Sequence, residues 1–214
     1  MQEYFLKLKP GITDISKHAG RPVQPGMVKY KDIDDDHIIT DKDRTVIGNG
    51  QPLFFGGITN SFNIYGVDFS FMFQFSFGND VYNATRMFCT QSLDERTNQY
   101  AELKDRWTPT NASNAVPAVD GYIKSELYSR FIEDGSFLRL KNVTLGYTFP
   151  EKLMRKAYIS KLRIYFTAQN LFCVTKYSGY DPEVNMKNSP LMPGFDWGAY
   201  PKNKAFTFGL ELQF

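Results

Sequence analysis

The alternation of side chains between Val67 and Phe77 constrains the fold most strongly. The apolar residues of this segment occupy every second position: Val67, Phe69, Phe71, Phe73, Phe75 and Phe77. The positions between them are Asp68, Ser70, Met72, Gln74 and Ser76. Successive side chains of a β-strand point to opposite faces, so this period predicts a strand with one apolar and one polar face. A row of phenylalanines leaves little room for a second sheet to interdigitate, whereas lipid makes no such packing demand.

Four other segments alternate in the same way, namely 52–64, 143–149, 162–169 and 204–214. In the last of them, Phe206, Phe208, Leu210, Leu212 and Phe214 alternate with Thr207, Gly209, Glu211 and Gln213. Each segment has close to the ~9 to 11 residues that a tilted strand needs to cross a bilayer. We therefore predict an all-β fold of antiparallel transmembrane β-barrel strands.

The connections between these segments alternate in length. Only Tyr65 and Gly66 join the first strand to the second, which predicts a tight hairpin. The next connection is long, the one after Phe149 is shorter, and the one after Phe172 is long again. Outer-membrane barrels have short periplasmic turns and long extracellular loops. We accordingly expect a periplasmic C-terminus and extracellular long loops.

Five strands cannot close a barrel, because an open edge in lipid would leave backbone groups without partners. We therefore expect this chain to be the C-terminal part of a larger barrel. Its predicted parts are an extracellular loop segment, 1–51, and the barrel strands with their loops, 52–214.

Composition excludes several other classes. The mean hydropathy is −0.39, and no stretch approaches the ~18 consecutive apolar residues of a transmembrane helix. A net charge of +2 does not suggest a nucleic-acid partner. The N-terminus lacks the pattern of a signal peptide. Cys89 and Cys173 are either free or paired with each other.

Several motifs carry a resemblance to a known family. They are 28–32 (VKYKD), 43–49 (DRTVIGN), 78–83 (GNDVYN), 106–109 (RWTP), 129–147 (SRFIEDGSFLRLKNVTLGY), 168–172 (AQNLF) and 175–185 (TKYSGYDPEVN). In this order and spacing they strongly resemble the C-terminal barrel of the SusC/RagA family of TonB-dependent outer-membrane transporters. The resemblance covers roughly residues 22–214.

The resemblance implies a location in the outer membrane of a Gram-negative cell. It also implies TonB-driven import of oligosaccharides or peptides, with a SusD-like surface lipoprotein as partner. The plug domain and the segment that contacts TonB lie N-terminal to this region in the family, so we expect transport to belong to the parent protein.

An acidic segment has the spacing of a calcium-binding loop. Asp32, Asp34, Asp36, Ile38 and Asp43 occupy loop positions 1, 3, 5, 7 and 12, where oxygen ligands converge on a hard cation. His37 replaces the usual turn glycine, and Asp43 is shorter than the usual bidentate glutamate. A calcium site and a solvated acidic turn therefore both remain open.

Two further sets of residues have a candidate role in transport. Aromatic residues predicted in extracellular loops are Trp107, Tyr177, Tyr180 and Trp197, together with Tyr122, Tyr128 and Tyr200. Their rings either contact the flat faces of sugars or the surface of a protein partner, or they pack against other residues within the loops. Residues predicted to face the lumen are Asp68, Gln74, Arg163, Tyr165, Gln169 and Glu211. They form a polar channel wall, or they only hydrogen-bond one another or the plug domain.

The sequence contains no G-x-S-x-G elbow, no phosphate-binding glycine loop and no pair of histidines at metal spacing, so we expect no enzyme. The alternative function is a secreted, calcium-dependent β-sandwich that binds carbohydrate as an adhesion module.

Overall fold

The computed structural model describes residues 24–36, 39, 41–91, 96, 98–113, 115–119, 121–122, 127–185 and 193–214. Its strands are β1 (Phe54–Ile64), β2 (Val67–Phe77), β3 (Asp80–Asn83), β4 (Ile132–Asp134), β5 (Phe137–Thr148), β6 (Lys161–Thr175), β7 (Phe195–Asp196) and β8 (Ala205–Gln213). Its α-helices are α1 (Ala84–Thr90) and α2 (Glu151–Met154). Short 3-10 helices cover Asp41–Asp43, Ala101–Asp105, Ser129–Phe131 and Arg155–Ala157.

The five long strands form one sheet in the order β1-β2-β5-β6-β8. All neighbouring pairs are antiparallel, and β1 and β8 lie at the two edges. Each long strand overlaps one of the five alternating segments, although β5 and β6 are longer than predicted, and the all-β architecture is confirmed. Within the described residues, no helix has both the length and the apolarity needed to span a membrane.

The hairpin between β1 and β2 has the predicted two-residue turn. Tyr65 and Gly66 have φ values of 50° and 85°. Positive φ at both central residues is the geometry of a type I′ turn, whose twist matches the twist of the flanking strands. This turn sets the register in which Ile64 lies opposite Val67 and Phe54 opposite Phe77.

A register shift between β2 and β5 explains why the alternation in the sequence predicted a β5 that was too short. Between Met72 and Phe73 the pairing partners on β5 jump from Asn142 to Leu140, so Lys141 is an additional residue. A bulge of this kind moves the following residues to the opposite phase of the alternation. Leu138 and Leu140 consequently share a face with Val143 and Leu145, although their sequence parity differs.

The long connection between Phe77 and Phe137 contains regular structure that the sequence analysis did not predict. The region includes β3, α1 and β4. Helix α1 follows directly on β3, because the Asn83 side chain accepts a hydrogen bond of 2.8 Å from the backbone N–H of Arg86. The shorter connection between β5 and β6 likewise contains α2 and a 3-10 turn.

The chain forms two compact units. One comprises the described parts of Met1–Asn49, Tyr82–Ile132 and Asp196–Gly198, and it has an aromatic core. Val28, Tyr122, Tyr128 and Phe131 are buried there. We call this part the loop unit.

The other unit comprises the described parts of Gly50–Val81, Glu133–Phe195 and Ala199–Phe214, and it contains the five-stranded sheet. Its small buried cluster consists of Val81, Tyr177 and Val184. We call this part the sheet unit. Cys89 in the loop unit and Cys173 in the sheet unit are both free thiols.

Candidate functional site

The sheet has one apolar face, which is built from rows of side chains that run across all five long strands. One row contains Ile64, Val67, Tyr147, Ile164 and Leu210, and the next contains Phe62, Phe69, Leu145, Phe166 and Phe208. Much of this face is exposed: Phe208 has 80% of its surface accessible and Phe62 has 50%. Soluble proteins rarely expose a continuous apolar surface of this extent, so the face is suited to an apolar neighbour.

The opposite face is polar and carries a bidentate ion pair across three strands. Arg163 on β6 donates from Nε and Nη2 to the two carboxylate oxygens of Asp68 on β2, at 3.0 and 2.6 Å. Gly146 on β5 lies between them, and a Cβ atom there would meet the Asp68 carboxylate and the Arg163 guanidinium. A glycine at this position therefore allows charged groups on two non-adjacent strands to meet.

Other side chains continue the polar face. Lys161 donates to Glu211 at 2.9 Å, and the hydroxyls of Thr144 and Thr167 lie 3.1 Å apart. The Arg163 guanidinium lies 4.9 Å from the centre of the Tyr165 ring. Of the residues predicted to face a lumen, Asp68, Arg163, Tyr165 and Glu211 thus lie together on one face, as the alternation requires.

A second polar cluster joins the sheet to the chain that follows β6. It consists of Arg139, Lys141, Asp181, Glu183 and Lys202, which we call the loop network. Arg139 donates from Nη2 to Asp181 Oδ1 at 2.5 Å, and both side chains are 5% exposed. Removing one partner of a buried pair of this kind lowers stability by about 3 to 5 kcal/mol. The pair therefore holds the segment around Asp181 against the sheet.

Glu183 is the second acid of the loop network. Its carboxylate contacts the Lys202 ammonium and lies 3.6 Å from that of Lys141. Gln74 Nε2 also donates to it at 3.5 Å. Burial would raise the pKa of Glu183, but the hydrogen bond and positive charge of Lys202, followed by the charges of Lys141 and Arg139, hold it below its ordinary value.

Sequence analysis did not single out the loop network. Arg139 lies before the bulge at Lys141, where the simple alternation no longer indicates which face a side chain occupies. Asp181 and Glu183 belong to the motif 175–185, which resembles the SusC/RagA family. This resemblance was the only signal in the sequence for these two residues.

The predicted calcium residues converge in part. Single carboxylate oxygens of Asp32, Asp34 and Asp36 lie within 4.8 Å of one another. Asp43 instead accepts a hydrogen bond of 2.8 Å from the backbone N–H of Ile33, which closes the loop. Ile38 lies outside the described residues.

The electrostatics of this acidic loop fit a cation. Lost hydration and then repulsion from Asp36 raise the pKa of Asp34, with smaller contributions from Asp43 and Asp32. Three converging carboxylates are a donor set suited to a hard cation, and binding would relieve this repulsion. The calcium site stays a prediction.

The aromatic residues predicted in the loops occupy two kinds of environment. Tyr177 is 5% exposed and packs in the buried cluster of the sheet unit, while Trp107 is half-buried and lies against Gly26. Tyr180 is 75% exposed. Trp197 is 47% exposed, and its ring centre lies 5.5 Å from that of Phe88. Tyr122 and Tyr128 are buried in the core of the loop unit, and Tyr200 is exposed.

The sequence of this chain is similar to those of TonB-dependent receptors. No protein-family profile matches the chain. It is 34% identical over 195 residues to the TonB-dependent receptor P3 of Formosa agariphila, covering 89% of this chain and 19% of that protein. It is 32% identical over 159 residues to the TonB-dependent receptor SusC of Bacteroides thetaiotaomicron, covering 74% of this chain and 15% of that protein.

A solved structure agrees with these relatives. The RagAB peptide transporter matches with a TM-score of 0.64 and 29% identity, over 76% of this chain and 17% of that chain. The two-faced antiparallel sheet and these matches define the class, that of TonB-dependent outer-membrane receptors. Within this class, the chain belongs to the SusC/RagA family.

The chain is much shorter than the proteins that it matches. The chain spans about a fifth of the length of the first curated relatives, at 19% and 20%. The matched proteins are named as receptors or transporters, which supports a role other than catalysis. They do not favour the alternative of a secreted β-sandwich module.

Proposed function

We propose that the five-stranded sheet is part of the wall of a transmembrane β-barrel, in an outer-membrane transporter driven by TonB. The observation that carries this proposal is the separation of the two faces. Exposed aromatic and aliphatic rows lie on one face, and the Arg163–Asp68 ion pair lies on the other. Barrels in membranes place apolar residues against lipid and polar residues towards the lumen.

The strand lengths support this proposal. β2 has 11 residues, and with about 3.3 Å per residue and a tilt near 45° it covers about 25 Å along the membrane normal. The apolar band of such barrels is about 25 Å tall. The type I′ hairpin and the chain end then lie on the periplasmic side, and the long connections lie outside the cell.

The transported substrate is proposed from the relatives. RagAB is named as a peptide transporter, and SusC is named as a TonB-dependent receptor. We extend to this protein the import of oligosaccharides or peptides with a SusD-like surface lipoprotein as partner. Exposed rings such as Tyr180 and Trp197 are candidate contacts for the substrate or for this partner.

Cysteine scanning along β2 tests the membrane proposal. In the full-length protein that carries this segment, Cys89 and Cys173 are first replaced by serine. Single cysteines are then placed at positions 69–74, and a membrane-impermeant maleimide is added to cells. We expect labelling at 70, 72 and 74, which face the lumen, and protection at 69, 71 and 73, which face lipid. The proposal fails if both sets react equally or if the purified protein stays monodisperse without detergent.

The acidic loop is proposed as a calcium site within this protein. The support is the convergence of Asp32, Asp34 and Asp36 and the raised pKa of Asp34. Calorimetric titration of the calcium-depleted full-length protein should show one binding event, weakened at least about tenfold by the double change Asp32→Asn with Asp34→Asn. Asp105→Asn, an exposed acid elsewhere in the loop unit, is the matched control. Equal binding by all three proteins would contradict the site.

A further inference from the structure

An open apolar groove lies on the apolar face of the sheet. Its volume is about 730 Å³. The apolar side chains that line it are Val67, Leu145, Tyr147, Ile164, Phe166, Phe208 and Leu210. Cavities of about 300 to 1,000 Å³ accommodate small-molecule ligands, and this lining offers such a ligand almost no polar partner.

The groove lies near the hairpin end of the sheet. Tyr147 and Ile164 line it and pair with each other, and the connection between β5 and β6 begins directly beyond them. The Thr148 N–H donates to the carbonyl of Gly66 at 2.7 Å, which places the hairpin at the same end. With about 3.3 Å of rise per residue, Tyr147 lies roughly 7 Å from Phe149, where this connection begins.

The connection between β5 and β6 is basic. Lys152, Arg155 and Lys156 lie within it, and all three are exposed. Its one acid, Glu151, accepts from Arg155 at 2.7 Å. Lys152 and Lys156 therefore add two positive charges to this end of the sheet.

Exposed aromatic side chains mark the same end. Tyr65 in the hairpin is 98% exposed, Tyr158 in the basic connection is 91% exposed, and Phe214 is 89% exposed. The Ser160 N–H donates to the carbonyl of Gln213 at 2.8 Å, so the chain end and the connection are neighbours. Aromatic residues in this arrangement form the girdle at the boundary between lipid and water.

We infer that this end of the sheet binds an anionic phospholipid of the surrounding membrane. An acyl chain occupies the groove, and the phosphate lies at Lys152 and Lys156. The arrangement favours this occupant, because the apolar lining, the exposed aromatic rings and the exposed lysines lie at the same end of the sheet. Basic groups near a membrane surface attract anionic lipids. The inference rests on the membrane-spanning role proposed above.

Native mass spectrometry of the full-length protein tests the inference. The protein is released from detergent micelles that contain either phosphatidylglycerol or phosphatidylcholine with identical acyl chains. We expect retention of phosphatidylglycerol, and a roughly 10- to 30-fold weaker affinity after the double change Lys152→Gln with Lys156→Gln. Ile164→Trp fills the groove without changing charge and should also reduce retention.

Matched controls separate this site from a general effect of charge. Lys29→Gln with Lys104→Gln removes the same charge from exposed lysines of the loop unit and should leave retention unchanged. Equal retention of both lipids, or no effect of the groove and lysine variants, overturns the inference. Because these outcomes are read on a protein already inserted in micelles, they leave the cysteine-scanning result for β2 unaffected.

Discussion

The loop unit and the sheet unit use the same residue types in opposite ways. In the loop unit, Phe131 is 1% exposed and Tyr122 is 2% exposed, and their rings pack against each other and against Tyr128. In the sheet unit, Phe208 is 80% exposed. The loop unit keeps its aromatic side chains from water by burying them in a core of its own. The sheet has no such cover on its apolar face within the described residues, so it needs an apolar surrounding.

The largest expected effect comes from a cavity in the loop unit. Phe131→Ala should lower the stability of this unit by about 3 to 5 kcal/mol, because a buried aromatic side chain is lost and leaves a cavity. The measurement is the rate of limited proteolysis of the full-length protein in detergent, followed separately for fragments of the loop unit and of the sheet unit. Phe208→Ala on the apolar face is the comparison and should cost less, because lipid or detergent fills the space. An equal or larger loss for Phe208→Ala would show that protein, not lipid, covers the sheet.

The next effect distinguishes the two faces of one strand. Phe71→Arg places a charge on the apolar face near the middle of β2 and should destabilise the inserted barrel by about 2 to 4 kcal/mol. Ser70→Arg makes the same charge change one residue earlier on the polar face and should cost much less. Urea unfolding in lipid vesicles measures both. A larger loss for Ser70→Arg would reverse the proposed orientation of the sheet.

The smallest effect concerns the loop network and its dependence on pH. The pKa of Glu183 is lower in the folded protein than its ordinary value of 4.5. Its contribution to stability is therefore complete above that value and is lost as the pH falls through the lower, folded pKa. We expect protease cleavage near residue 183 to accelerate in this acidic range. The Glu183→Gln variant should be cleaved faster than the unsubstituted protein near neutral pH, and its cleavage rate should depend less on pH. Glu151→Gln, in an exposed pair, is the control; an unchanged pH profile in Glu183→Gln would refute this role.

Much of the sheet was predictable, because apolar and polar side chains alternate along a strand that has one apolar and one polar face. Asp68 and Arg163 were assigned to the same face from alternation alone, and they form an ion pair there. Their pairing was not predictable, since it also requires the register of β2, β5 and β6 and the absence of a side chain at Gly146. The start of β5 was missed because the bulge at Lys141 changes the phase of the alternation.

The loops were less predictable for a related reason. Tyr177 and Tyr180 lie three positions apart in a single motif, yet one is buried and the other is exposed. Irregular segments have no fixed period, so the sequence does not indicate which ring points inward. Helix α1 has seven residues and lacks a long amphipathic pattern, which explains why it went unrecognised.

The sequence by itself determined five alternating strands, a hairpin at Tyr65 and Gly66, and the family resemblance of this protein. It could do so because side-chain direction in a strand depends only on position along the chain. The tertiary structure alone decided which charges meet, as in Arg139 with Asp181, and where the apolar groove beside the basic connection lies. Those features depend on the register between strands that are distant in sequence. A bulge shifts that register, and a single glycine changes the space available between neighbouring side chains.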